Sequence, residues 1–368
     1  MPWLWIALVA SAVIVGLAAA AGAFVALQMR WMVAETRLDR YFGRTLEGRL
    51  ALKAEMRRRA RFVAPLLVVT SRIFRLQQPT LRYGDTTAPG MVCTEQSFRR
   101  ATTYEPRPGD IFVATQMKCG TTWMQQIVYE TLCRGAGDLS DTGLRHMYAL
   151  SPWIESNGSV PLERAAEVGA RRERIIKTHF ATNLCPYNEK ARYLYVTRHP
   201  FTCFASCIDF VRMLAGPFSP SYEQMLDWYC SDDMWWRSWP EHVDGWWRWA
   251  QQRENVLFIH YEHMLDDLDA TVGQVAAFLD VDLTPAERAE VVRKSDYKYM
   301  KQHEEHFEMA PPSLVQADDG TSFFQSGKKD RDRALSDADR ARIAAFCRER
   351  LMSSPYPLEQ FYPDVARG

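Results

Sequence analysis

The chain has 368 residues, 47% of them hydrophobic, with 45 Lys/Arg balanced by 45 Asp/Glu. That is enough apolar material for a sizeable core, and it excludes global disorder. The zero net charge hides a basic collar at residues 30–61, ten Lys/Arg against four Asp/Glu. A collar of this kind beside an apolar segment points to anionic headgroups, and nothing comparable elsewhere points to nucleic acid.

In chain order, Trp3 to Leu27 is an unbroken run of 25 apolar or small residues. As a helix it reaches about 37 Å, against a hydrocarbon core of about 30 Å. It predicts a single transmembrane anchor over residues 1–29, with Trp3, Trp5 and Trp31 at the interfaces. A cleaved signal peptide is the rival, with small residues at Ala18–Ala23. The absence of a basic n-region and the length of the run weigh against it. Arg30, Arg37, Arg40 and Arg44 follow the run, so the positive-inside rule predicts that the large domain after it is cytoplasmic.

Gln28 to Phe62 reads as one charged helix, with Leu38, Phe42, Leu46 and Leu50 at helical spacing. It would pack on the domain or lie on the membrane. Pro79, Gly84, Pro89 and Gly90 mark loops. Residues 30–105 are thus expected to be a basic juxtamembrane helix and linker, with the main domain over 106–368. There the pattern alternates. Strands are predicted at Ile111–Thr115, Arg174–Thr178, Arg192–Thr197 and Val256–His260. Helices are predicted from Thr121 to Arg134, Phe201 to Met213 and Tyr261 to Leu279. This alternation predicts an α/β fold, a P-loop-like parallel sheet flanked by helices and preceded by the transmembrane helix. Ligands in such sheets bind at the carboxyl ends of strands.

Eight cysteines are scattered, without a Cys-x-x-Cys pair or zinc spacing. Cys203 and Cys207 would share a helix face, a weak metal hint. Small buried thiols of a reduced protein are the favoured reading, and no metal is expected.

Three segments carry chemistry. Gln116-Met-Lys-Cys-Gly-Thr-Thr-Trp123 lies between a strand and a helix, where free amides and the helix dipole favour phosphate. Gly120 permits close approach, Thr121 and Thr122 add hydroxyls, and Lys118 adds charge. The Lys precedes the Gly, so this is not a Walker A loop. In Arg174-Ile-Ile-Lys-Thr-His179 a strand delivers His179 to the sheet edge, with Lys177 two residues earlier on the same face. A neutral His is suited to take a proton from a hydroxyl. Tyr193-Leu-Tyr-Val-Thr-Arg198 ends a strand, and Ser206 follows eight residues on. An Arg fork suits phosphate oxygens.

These segments resemble those of the cytosolic-type sulfotransferases. The first is similar to their 5′-phosphosulfate loop, Tyr-Pro-Lys-Ser-Gly-Thr-Thr-Trp, with Gln116-Met117 for Tyr-Pro and Cys119 for Ser. The second is similar to their Lys-Thr-His segment, whose His is the catalytic base. The third is similar to their 3′-phosphate site. Phe258-Ile-His-Tyr-Glu262 and Ser295-Asp-Tyr297 resemble segments that flank the adenine. The run Trp235–Trp247 resembles a Ser-Trp…His-Val…Gly-Trp-Trp segment, read as packing and acceptor-pocket wall. The resemblance spans roughly residues 106–350. It implies transfer of a sulfuryl group from 3′-phosphoadenosine-5′-phosphosulfate (PAPS) to a hydroxyl or amine of a small-molecule or lipid acceptor. His179, Lys118 and Lys177 would be catalytic. Lys118, Cys119, Gly120, Thr121, Thr122, Trp123, Arg198, Ser206, Tyr261, Ser295 and Tyr297 would hold the donor.

The resemblance fails at one place. The family's Arg-Lys-Gly-x-x-Gly-Asp-Trp is here Gln325-Ser-Gly-Lys-Lys-Asp-Arg-Asp332. Gly327 survives, and Lys328 and Lys329 would supply the charge from a shifted position. Otherwise nucleotide affinity is weakened, or the chain is a membrane-tethered binding relative without catalysis. A nucleotide-dependent kinase is the other rival; it needs Mg²⁺ ligands and a Gly-Lys-Ser/Thr order that the sequence lacks.

Overall fold

The computed structural model describes residues 2–74, 79–140, 146–308, 313–314 and 335–367. The apolar N-terminus forms helix α1 (Pro2–Glu35), which runs past the charge-free stretch. It is long and apolar enough to cross a membrane, a character that signal sequences share. A break at Thr36–Arg37 precedes α2 (Leu38–Phe42), and Gly43 ends that helix before α3 (Leu46–Phe74).

The single charged helix expected from Gln28 to Phe62 is therefore three pieces. The reason is burial, which overrides local periodicity. Tyr41 and Phe42 turn fully inward, and Phe42 stacks on His146 (ring centroids 4.1 Å apart) and Tyr148 (5.3 Å). Helix α3 then folds back along α1. Arg59 lies 3.8 Å over the Trp31 ring and donates from Nη1 to Gln28 Oε1 (2.7 Å). The other face of α3 packs on the domain. Leu52, Met56, Ala60 and Val63 are buried at helical spacing. Arg49 donates to the Glu305 carbonyl (3.0 Å), and Lys53 pairs with Glu308.

The next proline and glycine positions flank a hairpin rather than open loops. Strands β1 (Thr80–Tyr83) and β2 (Thr86–Pro89) pair antiparallel around Gly84, whose φ is +60°. Helix α4 (Glu95–Thr102) starts in a capping box of Thr94 and Ser97.

The main sheet has β3 (Asp110–Thr115), β4 (Arg174–Thr178), β5 (Arg192–Thr197) and β6 (Val256–His260), in the order β4-β3-β5-β6, all parallel. Every residue of β3 and β4 is buried, as befits a sheet covered on both faces. Side chains alternate between two apolar clusters. Phe112, Ala114, Ile176, Tyr193 and Tyr195 face one; Ile111, Val113, Ile175, Leu194 and Val196 face the other.

Helices α5 (Thr121–Leu132), α6 (Met147–Leu150), α7 (Pro200–Ala215), α8 (Tyr222–Tyr229) and α9 (Trp239–Gln252) follow in chain order. Beyond β6 come α10 (Tyr261–Asp266), α11 (Leu268–Phe278), α12 (Pro285–Ser295), α13 (Tyr297–Gln302), α14 (Asp337–Leu351), α15 (Leu358–Phe361) and α16 (Pro363–Arg367). The strands fall where the sequence pattern puts them, and the parallel α/β sheet is as expected. The helix expected over Tyr261–Leu279 is split into α10 and α11, because the Asp267 carboxylate caps the second piece by accepting from the Ala270 amide (2.8 Å). Helix α5 stops at Leu132, short of Arg134, which takes a left-handed φ of +56°.

Phe42→Ala should destabilise the full chain by about 3–5 kcal/mol, the cost of emptying an aromatic core site. Urea unfolding in detergent micelles measures it. An unchanged midpoint would mean that residues 38–42 are only a tether.

Candidate active site

The parallel register brings four strand ends to one edge. Ala114 pairs with Thr178, Thr115 with Val196, and Thr197 with His260. The residues that follow are the Gln116–Gly120 loop, His179, Arg198 and Tyr261. Three sequence-predicted segments and one aromatic thus converge without any long-range assumption.

The loop before α5 is built for close approach. Gly120 has φ +103°, and a Cβ there would lie 2.7 Å from the Tyr261 ring. Lys118 is also left-handed, at φ +66°, a conformation that costs a non-glycine residue energy and clusters at functional sites. Its carbonyl accepts from Arg198 Nη1 (3.3 Å), and its ammonium lies 4.5 Å from the Phe210 ring centre. The Thr121 and Thr115 hydroxyls bond at 2.6 Å. Cys119 is buried, and burial raises its thiol pKa well above the ordinary value. Its Sγ lies 3.7 Å from that of Cys203.

At the end of β4, the His179 Nδ1–H donates to the Thr115 carbonyl (2.9 Å). That bond fixes the tautomer and leaves the lone pair on Nε2. Burial, aided by the charge of Lys177, holds the imidazole pKa well below its ordinary value, so it is neutral near pH 7. Trp153 meets the ring edge-on at 5.4 Å, and Trp236 lies 4.8 Å away. Lys177 is fully buried, with its ammonium 3.9 Å from the Trp153 ring centre and 4.7 Å from that of Tyr148. Burial lowers its pKa to about 7, against the opposing pull of Glu155. The Tyr148 hydroxyl also bonds the Thr122 hydroxyl (3.2 Å), joining the two segments.

Beyond β5, Arg198 is buried. It donates from Nε to the Thr202 hydroxyl (2.9 Å) and stacks 4.5 Å over the Tyr261 ring. Ser206 is buried on α7. Trp123 meets Tyr261 edge-on at 5.4 Å, and its indole donates to the Ser295 carbonyl (2.7 Å). Tyr297 opens α13 after its capping residue Asp296. Gly327 and Lys328 lie outside the described residues. Among the described residues, His303, Glu305 and His306 bring possible metal-ligand atoms within 4.8 Å of one another.

Sequence reasoning missed several supporting groups. Glu155 is buried, and its carboxylate accepts from the His179 amide (2.6 Å). Burial raises its pKa. Residues 152–154 pair along β4 through the Lys177 backbone (2.9 and 3.0 Å), which sets Glu155 beside His179. His242 donates from Nε2 to the His179 carbonyl (2.9 Å) while Nδ1 accepts from the Tyr195 hydroxyl (3.0 Å). Trp239 and Trp246 donate to the carbonyls of Arg198 (2.9 Å) and Phe180 (3.1 Å). The available signal was the spacing of 239, 242 and 246, one face of a helix.

The sulfotransferase domain family matches residues 108–355. Sulfotransferase 1C2 of Oryctolagus cuniculus is 26% identical over 231 residues, 61% of this chain and 76% of the relative. A 3-alpha-hydroxysteroid sulfotransferase of Cavia porcellus is 30% identical over 199 residues, 53% of this chain and 67% of the relative. A retinol dehydratase solved with androsterone and the inactive cofactor PAP shares the fold. Its TM-score is 0.61 at 18% identity, over 76% of this chain and 92% of that one.

Gly120→Ala should lower stability by about 1–3 kcal/mol, the cost of a strained backbone position. Part of that cost should vanish in the double variant with Tyr261→Ala, which removes the ring that the new methyl meets. Thermal unfolding of the two single variants and the double variant decides; strict additivity would mean that the ring contact contributes nothing.

Proposed function

This chain belongs to the sulfotransferase family, and from that membership we propose that it moves a sulfuryl group from PAPS to a hydroxyl or amine of a membrane-borne amphiphile. The observation that carries the catalytic part is the fixed, neutral His179, with Nδ1 tied to Thr115. In this reading Nε2 takes the acceptor proton as the acceptor oxygen or nitrogen attacks sulfur. The bridging S–O bond breaks, and its electron pair leaves with the 5′-phosphate of the nucleotide. Sulfuryl transfer, like phosphoryl transfer, then needs mainly positioning and charge stabilisation.

Lys118 would offset charge on the leaving oxygen, and Lys177 would assist. The amides and hydroxyls of Gly120–Thr122 would hold the 5′-phosphate. Arg198 and Ser206 would read the 3′-phosphate and so separate the donor from ATP. Trp123, Tyr261, Ser295 and Tyr297 would border the adenine, with Gly327 and Lys328 closing over it. The close approach of the Gly120 backbone to Tyr261 and the stacking of Arg198 on that ring support a nucleotide at this edge.

Membrane placement rests on α1. Its charge-free run and the basic flank after it favour one span with the catalytic domain in the cytoplasm, where PAPS is made from ATP. An acceptor that is itself a sterol, glycolipid or similar amphiphile gives the tether a purpose. Relatives named for steroids, and one solved with androsterone, make a hydrophobic acceptor chemically reasonable.

The direct test is incubation of the full chain with radiolabelled PAPS and a membrane lipid extract; a labelled lipid is expected, and no labelled product would refute the acceptor class. His179→Ala should lower turnover about a hundredfold to ten-thousandfold with PAP binding nearly intact. Arg198→Ala should chiefly weaken PAP binding and leave the weak binding of ATP little changed. Calorimetric titration of both nucleotides checks this, and equal losses for the two would remove Arg198 from the 3′-phosphate site.

A pH profile separates the roles of the buried pair. Lys177 is cationic below about 7 and neutral above it, so kcat/KM should fall as pH rises through that value. His179 is neutral across this range, so the acid limb should lie well below 6.5. Glu155→Gln removes the charge that raises the Lys177 pKa, so the alkaline limb should move to lower pH. An unmoved limb would assign it to another group.

A further inference from the structure

Helix α3 changes character along its length. Arg57, Arg58, Arg59 and Arg61 crowd one turn, with Glu55 offsetting a single charge. The next eight residues, Phe62 to Val69, carry no charge. Val63 of this stretch is buried, but one stripe of it, Phe62, Pro65 and Val69, is left uncovered by the fold. Phe62 is 69% exposed and Val69 56% exposed, and Phe24 of α1, which shares a cleft with Phe62, is 44% exposed. Uncovered apolar surface of this density marks an interaction site.

The two helices run antiparallel here. Arg59 meets Gln28 and Trp31, while Phe62 and Val63 share a cleft of about 260 Å³ with Phe24 and Gln28. Advancing along α3 therefore means moving back along α1, into its charge-free span. Arg58 and Arg59 also line the cleft, together with Glu55, whose carboxylate pairs with both; Arg30 adjoins Trp31, the ring that Arg59 covers. The cleft thus joins the apolar Phe24, Phe62 and Val63 to two arginines that exceed its one carboxylate by a single charge, and Arg57 and Arg61 extend the basic belt beside it. From Arg61 to Val69 the rise is about 12 Å, less than one leaflet of a core about 30 Å thick; the helix continues past Arg72 to Phe74, so the charge-free stretch is bounded by arginine at both ends.

We propose that Phe62–Val69 is a second membrane-inserted element, dipping into one leaflet beside α1, with the cleft between them taking an acyl chain of an anionic phospholipid whose phosphate meets the arginine belt. This rests on the reading that α1 lies in a bilayer, and deepens it. Two contacts instead of one flexible tether would fix the height and tilt of the catalytic domain above the headgroups.

The test is photo-crosslinking of the full chain in vesicles of phosphatidylcholine, with and without phosphatidylglycerol. A benzophenone amino acid is placed at Phe62, Val69, Leu17 or Met352, all exposed positions. Lipid adducts are expected at 17, 62 and 69 and none at 352. Adducts at 17 without any at 62 and 69 would overturn the proposal and leave the single span standing. No adduct at 17 would overturn the membrane reading itself. Protein–protein adducts at 62 and 69 would mean that a second copy covers the surface. The adduct at 62 should be enriched in the anionic vesicles, and Arg58→Glu should cut that enrichment about fivefold or more. Equal yields in both vesicles would remove the anionic headgroup from the proposal.

Discussion

Parallel pairing of β3 with both of its neighbours governs the rest of the site. Because the strands run the same way in matched register, each chain emerges at the same edge. The loop amides, His179 and Arg198 are then neighbours by construction. The bond from His179 Nδ1 to the Thr115 carbonyl exists only because β4 ends beside β3. A slip of one residue would turn Lys177 and every other side chain of β4 to the opposite face. That slip is resisted because it would carry the Lys177 ammonium away from the Trp153 and Tyr148 rings.

Strand ends leave backbone carbonyls without sheet partners, and a buried carbonyl needs a donor. Helix α9 supplies them. Trp239, His242 and Trp246 donate to the carbonyls of Arg198, His179 and Phe180. Indole suits this task because it carries one donor and much apolar surface. Tyr195 fixes the His242 tautomer by donating to its Nδ1, so the donor toward His179 is always present. The tryptophan-rich segment, read from sequence as packing, also clamps the backbone of the site.

The ionisable groups under the sheet edge are held at a cost. Lys177 and Glu155 are both fully buried, and charges in such places destabilise unless paired and hydrogen-bonded. Burial lowers the Lys177 pKa and raises that of Glu155, so each drifts toward its neutral form. Two aromatic rings face the ammonium, and Glu155 accepts from the His179 amide. Such expense fits a site better than a scaffold.

The four strands, the phosphate-type loop, and the positions of His179 and Arg198 at strand ends were legible in the sequence, because buried parallel strands are short apolar runs and their motifs are contiguous. The charge-free run that became α1 was legible for the same local reason. Glu155, Tyr148 and His242 were not, since each meets the site across 24 residues or more of chain and follows no local periodicity. The breaks in the charged N-terminal helix were also hidden. A helix propensity extends through Tyr41 and Phe42, and only the pocket formed with His146 and Tyr148 makes bending inward the lower free energy. Sequence thus determined which strands and chemical groups are present. Tertiary structure decided their protonation and tautomers, because those depend on burial and on partners that only the folded chain brings near.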